Sequence, residues 1–285
     1  LRENYIFDDV RTPRGKGVAG GALHEVPPPQ LAAQLIRALK EWNRLAEDGI
    51  DEVILGCATP TGEQNGSLAR VAAVMGGFAD SVSGLQLNRG GASGLDAVDV
   101  AAGKIAMGAA ELMIAGGVES MSRVPVGADR GAHGVDPAIT FHIPFLPEGV
   151  SADLLATLYG VSREDLDGYG MASQHRADFA WSQGFFSGSL VPVIDMLGTE
   201  LLGRDEAIGA DVNTAFFRSL QPASKAMGGT GFDKIAIERF PEVSRDMAAN
   251  GGSFYGSAEA ASAVGDLAGK AASDITGHTI AAYGG

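Results

Sequence analysis

The sequence predicts an α/β protein: a mixed, mostly parallel sheet with helices on both faces, followed by a region in which the strand–helix alternation fades. Three observations carry this. Strand-like and helix-like segments alternate through residues 5–116, the pattern of repeated strand–helix–strand units. Two of the strand-like segments, 53–57 and 82–87, are short apolar runs. After about residue 121 the alternation fades into glycine- and proline-rich stretches and longer helical ones.

The elements follow in order. Residues 5–10 read as a strand closed by Thr12-Pro13. Residues 31–45 carry Leu31, Leu35, Ile36, Leu39 and Trp42 at helical spacing, after a Pro27-Pro28-Pro29 start. A buried strand over 53–57, a helix over 68–75 and a strand over 82–87 come next. A helix over 93–109 and a strand over 112–116 complete the alternation. That last helix is almost wholly small and apolar, with Asp96, Asp99 and Lys104 the exceptions. Leu95, Val98, Ala102, Ile105 and Ala109 form one stripe, and the composition predicts burial on most sides. Residues 127–134 read as loop, 151–158 and 162–183 as helical. The second of these helices opens with Ser162-x-x-Asp165, a short-side-chain capping box. Residues 258–264 and 278–282 either return to the sheet or open a second half.

Composition excludes several classes. The 285 residues are 45% hydrophobic and 20% charged, ordinary for a globular protein with a substantial core. The formal charge of −14, from 35 acidic and 21 basic residues, argues against nucleic acid and anionic membranes as general partners. No apolar run reaches spanning length and the N-terminus shows no leader pattern, so a cytoplasmic location is the expectation. One cysteine excludes an internal disulfide and a cysteine-cluster metal site. His24, His133, His142 and His175 are scattered, without metal-ligand spacing.

The most informative segment is Asn88-Arg89-Gly90-Gly91-Ala92-Ser93-Gly94-Leu95, between an apolar strand and the small-residue helix. A side chain at Gly91 would project at a helix start, where unpaired N–H groups and the helix dipole favour an anion. A cysteine there would be ionised and reactive. Asn88-Arg89-x-x-Ala92-Ser93-Gly94-Leu95 resembles the nucleophile turn of the thiolases, which carry cysteine at the position of Gly91. Further strings resemble thiolase segments in the same order. They are Val10-Arg11-Thr12-Pro13-Arg14-Gly15-Lys16-Gly17, Leu55-Gly56-Cys57-Ala58-Thr59-Pro60, Gly62-Glu63-Gln64, the run from Gly116-Gly117-Val118-Glu119-Ser120 through Met121-Ser122-Arg123-Val124-Pro125, and Gly231-Phe232-Asp233. The similarity runs from about residue 5 to about residue 243.

The resemblance implies a thiolase-like half: an α/β core over 1–120, a coenzyme A-binding loop domain over 121–245, and a return to the core or the start of a truncated second half over 246–285. It implies acyl transfer between coenzyme A thioesters, either 3-oxoacyl-CoA thiolysis or Claisen condensation. Acyl-CoA or acetyl-CoA would be the substrate, with no further cofactor and no metal. The chemistry needs a cysteine nucleophile, an acid–base cysteine and oxyanion donors. Here Gly91 removes the nucleophile. Cys57, at an apolar strand end, reads as a buried structural thiol. The second-half motifs Asn-Glu-Ala-Phe, Gly-His-Pro and Cys-x-Gly are largely absent; Gly277-His278-Thr279 only faintly resembles one of them. Ala248-Ala249-Asn250-Gly251-Gly252-Ser253 resembles, imperfectly, a pantetheine-contacting loop, which makes Ser253 a candidate coenzyme A contact.

Three readings follow: an inactive acyltransferase, a non-catalytic acyl-CoA-binding or partner subunit, or different chemistry resting on a lone acid such as Glu119 or Asp153. The helix from Ser93 is expected to keep an uncovered apolar face and to drive homo-oligomer formation. Two other motifs are set aside. Gly15-Lys16-Gly17-Val18-Ala19-Gly20 matches Gly-x-Gly-x-x-Gly, but a dinucleotide site needs a helix beginning within it. Residues 274–280 resemble a short-chain dehydrogenase tail, yet no Tyr-x-x-x-Lys occurs.

Overall fold

The computed structural model describes residues 2–143, 159, 161–209 and 213–220, and the backbone of 278–284. It divides into two compact units: residues 1–131, 186–207 and 271–285, and residues 132–185 with 208–270.

The first unit is built on a five-stranded sheet. Its strands are β1 (Asn4–Arg11), β2 (Glu52–Gly56), β3 (Ser83–Leu87), β4 (Leu112–Gly117) and, last in the chain, His278–Gly284. The order is β1, then 278–284, then β4, β2 and β3. β2 pairs in parallel with β3 and β4, whereas strand 278–284 lies antiparallel between β1 and β4. Of the two fates open to 278–282, the strand takes the return to the sheet.

Helices cover both faces. α1 (Pro28–Trp42) starts with proline in its first turn, where no N–H is missed. Its side chains Leu31, Leu35, Ile36 and Leu39 are buried with α2 (Leu68–Met75) against Val53, Leu55 and Ile114. Each such aliphatic contributes roughly 1.5–3 kcal/mol. Trp42, placed in the apolar stripe by periodicity, is instead half exposed. It lies at the end of the helix, where the sheet no longer covers it. Asn43 finishes α1, its amide donating to the Leu39 carbonyl and to the Asp8 carboxylate on β1.

α3 (Ser93–Ala106) packs on the opposite face with Ile54, Met113 and Ala115. Its buried residues are Ser93, Gly94, Ala97, Ala101 and Ile105. The helix is therefore not buried on most sides within this chain. Leu95, Val100 and Met107 are 45%, 37% and 72% exposed. The smallest residues face the sheet because the backbones approach closely there. A Cβ at Gly56 would lie 2.2 Å from the Ser93 carbonyl.

Residues 186–207 return to this unit. They form a hairpin of β5 (Val193–Ile194) and β6 (Glu200–Leu202), held by reciprocal bonds between the Gln34 amide and the Ile194 backbone. The Arg11 guanidinium, 4.6 Å from the Phe186 ring centroid, forms a two-pronged ion pair with Asp205 at 2.8 and 3.1 Å. The second unit contains the 20-residue helix Arg163–Ser182, opened by the expected capping box between Ser162 and Asp165. Gly170 on this helix admits Phe217, to whose ring a Cβ would come within 2.7 Å.

Candidate active-site turn

The turn between β3 and α3 is fixed by short polar side chains. The Asn88 side-chain oxygen accepts from Gly90 N–H at 2.8 Å, an Asx-turn. The Ser93 hydroxyl donates to the Gly90 carbonyl at 2.6 Å and accepts the Arg89 N–H at 2.9 Å. Positive φ falls on Gly90, at 56°, and not on Gly91. Position 91 therefore accepts an ordinary L side chain without left-handed strain.

Gly91 is exposed, two residues before α3. Among the described residues, nothing accepts the first-turn N–H groups of Gly94 and Leu95. Unpaired donors and the positive end of the helix lie together beside a backbone position that carries no side chain. Arg89 ties the turn to α3 through Nη1, which donates to both carboxylate oxygens of Asp96 at 2.8 and 3.1 Å.

Beneath the turn lies a polar network that sequence reasoning missed. One Glu119 carboxylate oxygen accepts the Ala58 N–H at 2.7 Å and faces the Cys57 thiol at 3.6 Å; the other accepts from the Gln64 amide at 2.7 Å. Gln64 is wholly buried, donates also to the Thr59 carbonyl and accepts the Ser120 N–H. Gln86 extends the chain, donating to the Gln64 carbonyl and accepting the Leu68 N–H. Three backbone N–H groups, Ala58 and Leu68 at the two ends of the β2–α2 connection and Ser120 after β4, thus depend on three side chains, Glu119, Gln86 and Gln64. The sequence offered Gly62-Glu63-Gln64 as a family-like string and Glu119 as part of another and as a lone-acid candidate, with no sign that Gln64 and Glu119 meet.

The network decides what Cys57 can do. Burial, then the Glu119 charge, pushes its thiol up to about 12. Its side chain follows the alternation of Val53 and Leu55, opposite to Gly56, the residue facing α3. It is neither ionised nor aimed at the turn. The expected result with iodoacetamide at pH 8 is no labelling of the folded chain and full labelling in urea; rapid native labelling would contradict this placement.

The remaining candidates are quickly located. Ser253 and Asp153 lie outside the described residues, as does the 231–233 string; of 278–284 only the backbone is described. His24 keeps a buried Nδ1 without a hydrogen-bond partner. Among the described residues no group of three or more His, Cys, Asp or Glu is placed to hold a metal, and no helix is long and apolar enough to cross a membrane.

The Gly15–Gly20 loop contains no helix start, and its Lys16 N–H is taken by Glu206, which also accepts the Ala22 N–H. These N–H bonds hold Glu206 below the usual glutamate value of 4.5. A depressed folded pKa stabilises above the unfolded value and is lost as pH falls through the folded one. Amide exchange at Lys16 and Ala22 is therefore expected to stay protected at pH 5 and to rise below the ordinary glutamate range. Glu206→Gln should remove this pH dependence.

The described residues form an α/β unit with helices on both sheet faces and a polar-pinned turn leading into a close-packed helix. The thiolase N-terminal domain model matches residues 4–231, and the chain belongs to the thiolase family. It is 39% identical over 244 residues to a beta-ketoadipyl-CoA thiolase of Pseudomonas knackmussii, covering 78% of this chain and 60% of that protein. It is 40% identical over 213 residues to a 3-oxoadipyl-CoA/3-oxo-5,6-dehydrosuberyl-CoA thiolase of Escherichia coli, covering 68% and 52%. The crystal structure of the Bacillus anthracis acetyl-CoA acetyltransferase superposes with a TM-score of 0.67 at 30% identity, covering 78% of this chain and 59% of that one. The chain thus spans 52–60% of the length of these two curated thiolases.

Proposed function

We propose that this chain carries the N-terminal acyl-handling architecture of a thiolase acting on acyl-CoA or acetyl-CoA, and that it does not itself perform the covalent acyl transfer. The observation that carries the reading is the turn. Position 91 lies where a thiolate would be stabilised, and glycine has no atom to attack a thioester. Cys57 is no substitute, being protonated and turned to the other face of the sheet. Ser253 remains the proposed coenzyme A contact.

The test is Gly91→Cys. The introduced thiol at the helix start is expected to react with iodoacetamide at pH 7 about ten times or more faster than an unperturbed cysteine, because its pKa falls. Mixed with acetyl-CoA, the variant thiolate attacks the thioester carbonyl; coenzyme A leaves as the thiol and the acetyl group stays on the enzyme. Intact-mass measurement should show one acetyl per chain for the variant and none for the parent. Cleavage of 3-oxoacyl-CoA by the parent chain would overturn the inactive reading. A sluggish thiol at position 91 would overturn the reading of the turn.

A second reading, a non-catalytic partner subunit, is favoured by the open outer face of α3. Leu95, Val100 and Met107 are exposed along the outer side of α3, beside the exposed Asp99, and exposed apolar side chains of this kind favour association with another copy or a thiolase-like chain. Light scattering of the isolated chain showing a clean monomer would count against it.

A further inference from the structure

Away from the turn, the ends of α1 and α2 enclose a shallow, open depression of about 390 Å³ lined by Arg37, Lys40, Arg44, Glu41, Gly76 and Gly77. We infer that it is a binding site for a phosphate dianion carried by a small molecule, of the phosphomonoester or pyrophosphate class. The inference is independent of the acyl-transfer reading.

Four observations carry it. Arg37 and Lys40 stand at i and i+3 near the end of α1, a spacing that puts them on one side, and Arg44, just past the helix cap, lines the same depression. In a chain of formal charge −14, none of the three forms an ion pair with a carboxylate among the described residues, and Glu41 in the same lining pairs with none of them. Two of the cations are held in place. Arg37 Nη2 donates to the Met75 carbonyl at 2.8 Å; Lys40 Nζ donates to the Gly77 carbonyl and lies 5.4 Å from the Phe78 ring centroid. Arg44, in contrast, is exposed and makes no side-chain hydrogen bond among the described residues. Its backbone is left-handed, with φ 53°, at the position after the α1 cap where glycine is the low-cost choice.

The floor is packed closely against α1. A Cβ at Gly77 would come 3.3 Å from Lys40 Nζ, and one at Gly76 would come 2.4 Å from Ile36. Helix C-termini repel anions through their free carbonyls, but here the Met75 and Gly77 carbonyls are occupied by cations. What faces solvent is the unused part of two guanidinium forks and an ammonium. Planar forks match the oxygens of a phosphate better than point charges do, and the depression has room for more than one phosphate group.

The experiment titrates the intact chain with inorganic pyrophosphate, inorganic phosphate and glycerol 3-phosphate in turn. Binding is read by ³¹P NMR and by backbone amide shifts at Gly76 and Gly77, in buffer with about 0.15 M NaCl to screen unspecific attraction. Saturable one-to-one binding of at least one probe is expected, and the preferred probe separates a free anion from an ester or diphosphate. Arg44→Gly should weaken binding at least tenfold while leaving the melting temperature equal or higher, since glycine adopts the left-handed backbone freely. Arg37→Gln should weaken binding comparably. Arg130→Gly, which removes another left-handed arginine outside the depression (φ 52°), should leave affinity unchanged. No saturation by any probe up to about 10 mM, well above a millimolar dissociation constant, would overturn the site. So would equal weakening by Arg130→Gly.

Discussion

Gly56→Ala is expected to disrupt the seat of α3 and to lower unfolding stability by about 3 kcal/mol or more, the upper range for overpacking. The added Cβ would lie 2.2 Å from both atoms of the Ser93 carbonyl and 2.5 Å from Gly94 N. All of these are backbone atoms, so no side chain can swing away. Relief requires α3 to slide off β2, which would move Ser93, the residue that pins the turn by its hydroxyl. Urea unfolding should show a lower midpoint. Gly103→Ala is the matched control on the same helix. Nothing lies within 4 Å of its added Cβ, so alanine's better helix propensity should raise stability by about 0.5–1 kcal/mol. Equal midpoints for the two variants would show that α3 does not approach β2 as closely as described.

Glu119→Ala is expected to cost about 2–5 kcal/mol. It leaves the Ala58 N–H and one Gln64 amide hydrogen bond without an acceptor, each worth roughly 1–3 kcal/mol when buried. The second readout is chemical. With the neighbouring charge removed, the Cys57 thiol should fall from about 12 and label measurably in the folded state. Glu119→Gln separates the effects. It removes the charge and keeps one acceptor, but turns an NH₂ toward a donor, so an intermediate loss is expected. A Glu119→Ala chain of parental stability, with Cys57 still inert, would show that the network contributes nothing.

What could be read from the sequence follows what is local. α1 was legible because Leu31, Leu35, Ile36 and Leu39 repeat at helical spacing, and all four are buried. The turn was legible because Asn88, Ser93 and the glycines between them are residues whose short side chains and free backbones make such bends. α3 was recognised as a helix, but its buried side was misjudged. The stripe containing Leu95, Val98 and Ala102 looked inward by hydrophobicity. Only part of it faces inward: Ile105 and Val98 of that stripe pack on the sheet, whereas the backbone approach of Gly56 to Ser93 and Gly94 leaves Leu95 turned outward. The Glu119–Gln64 bond was illegible because its partners are 55 residues apart and neither belongs to a periodic pattern. The destination of strand 278–284 stayed open for the same reason, since its neighbours β1 and β4 lie more than 160 residues upstream.

That strand carries a temporal consequence. Made after β1, β2, β3 and β4, it fills the gap between the first and the fourth of them. Until it emerges from the ribosome, β1 has no neighbour in the sheet and β4 has one open edge. Closing so long a loop is entropically slow, and unpaired strand edges invite the wrong partners while they wait. Tyr5, Ile6 and Phe7, exposed on β1 even in the finished sheet, mark the nascent chain's most exposed liability, so expression should depend on chaperones and on temperature.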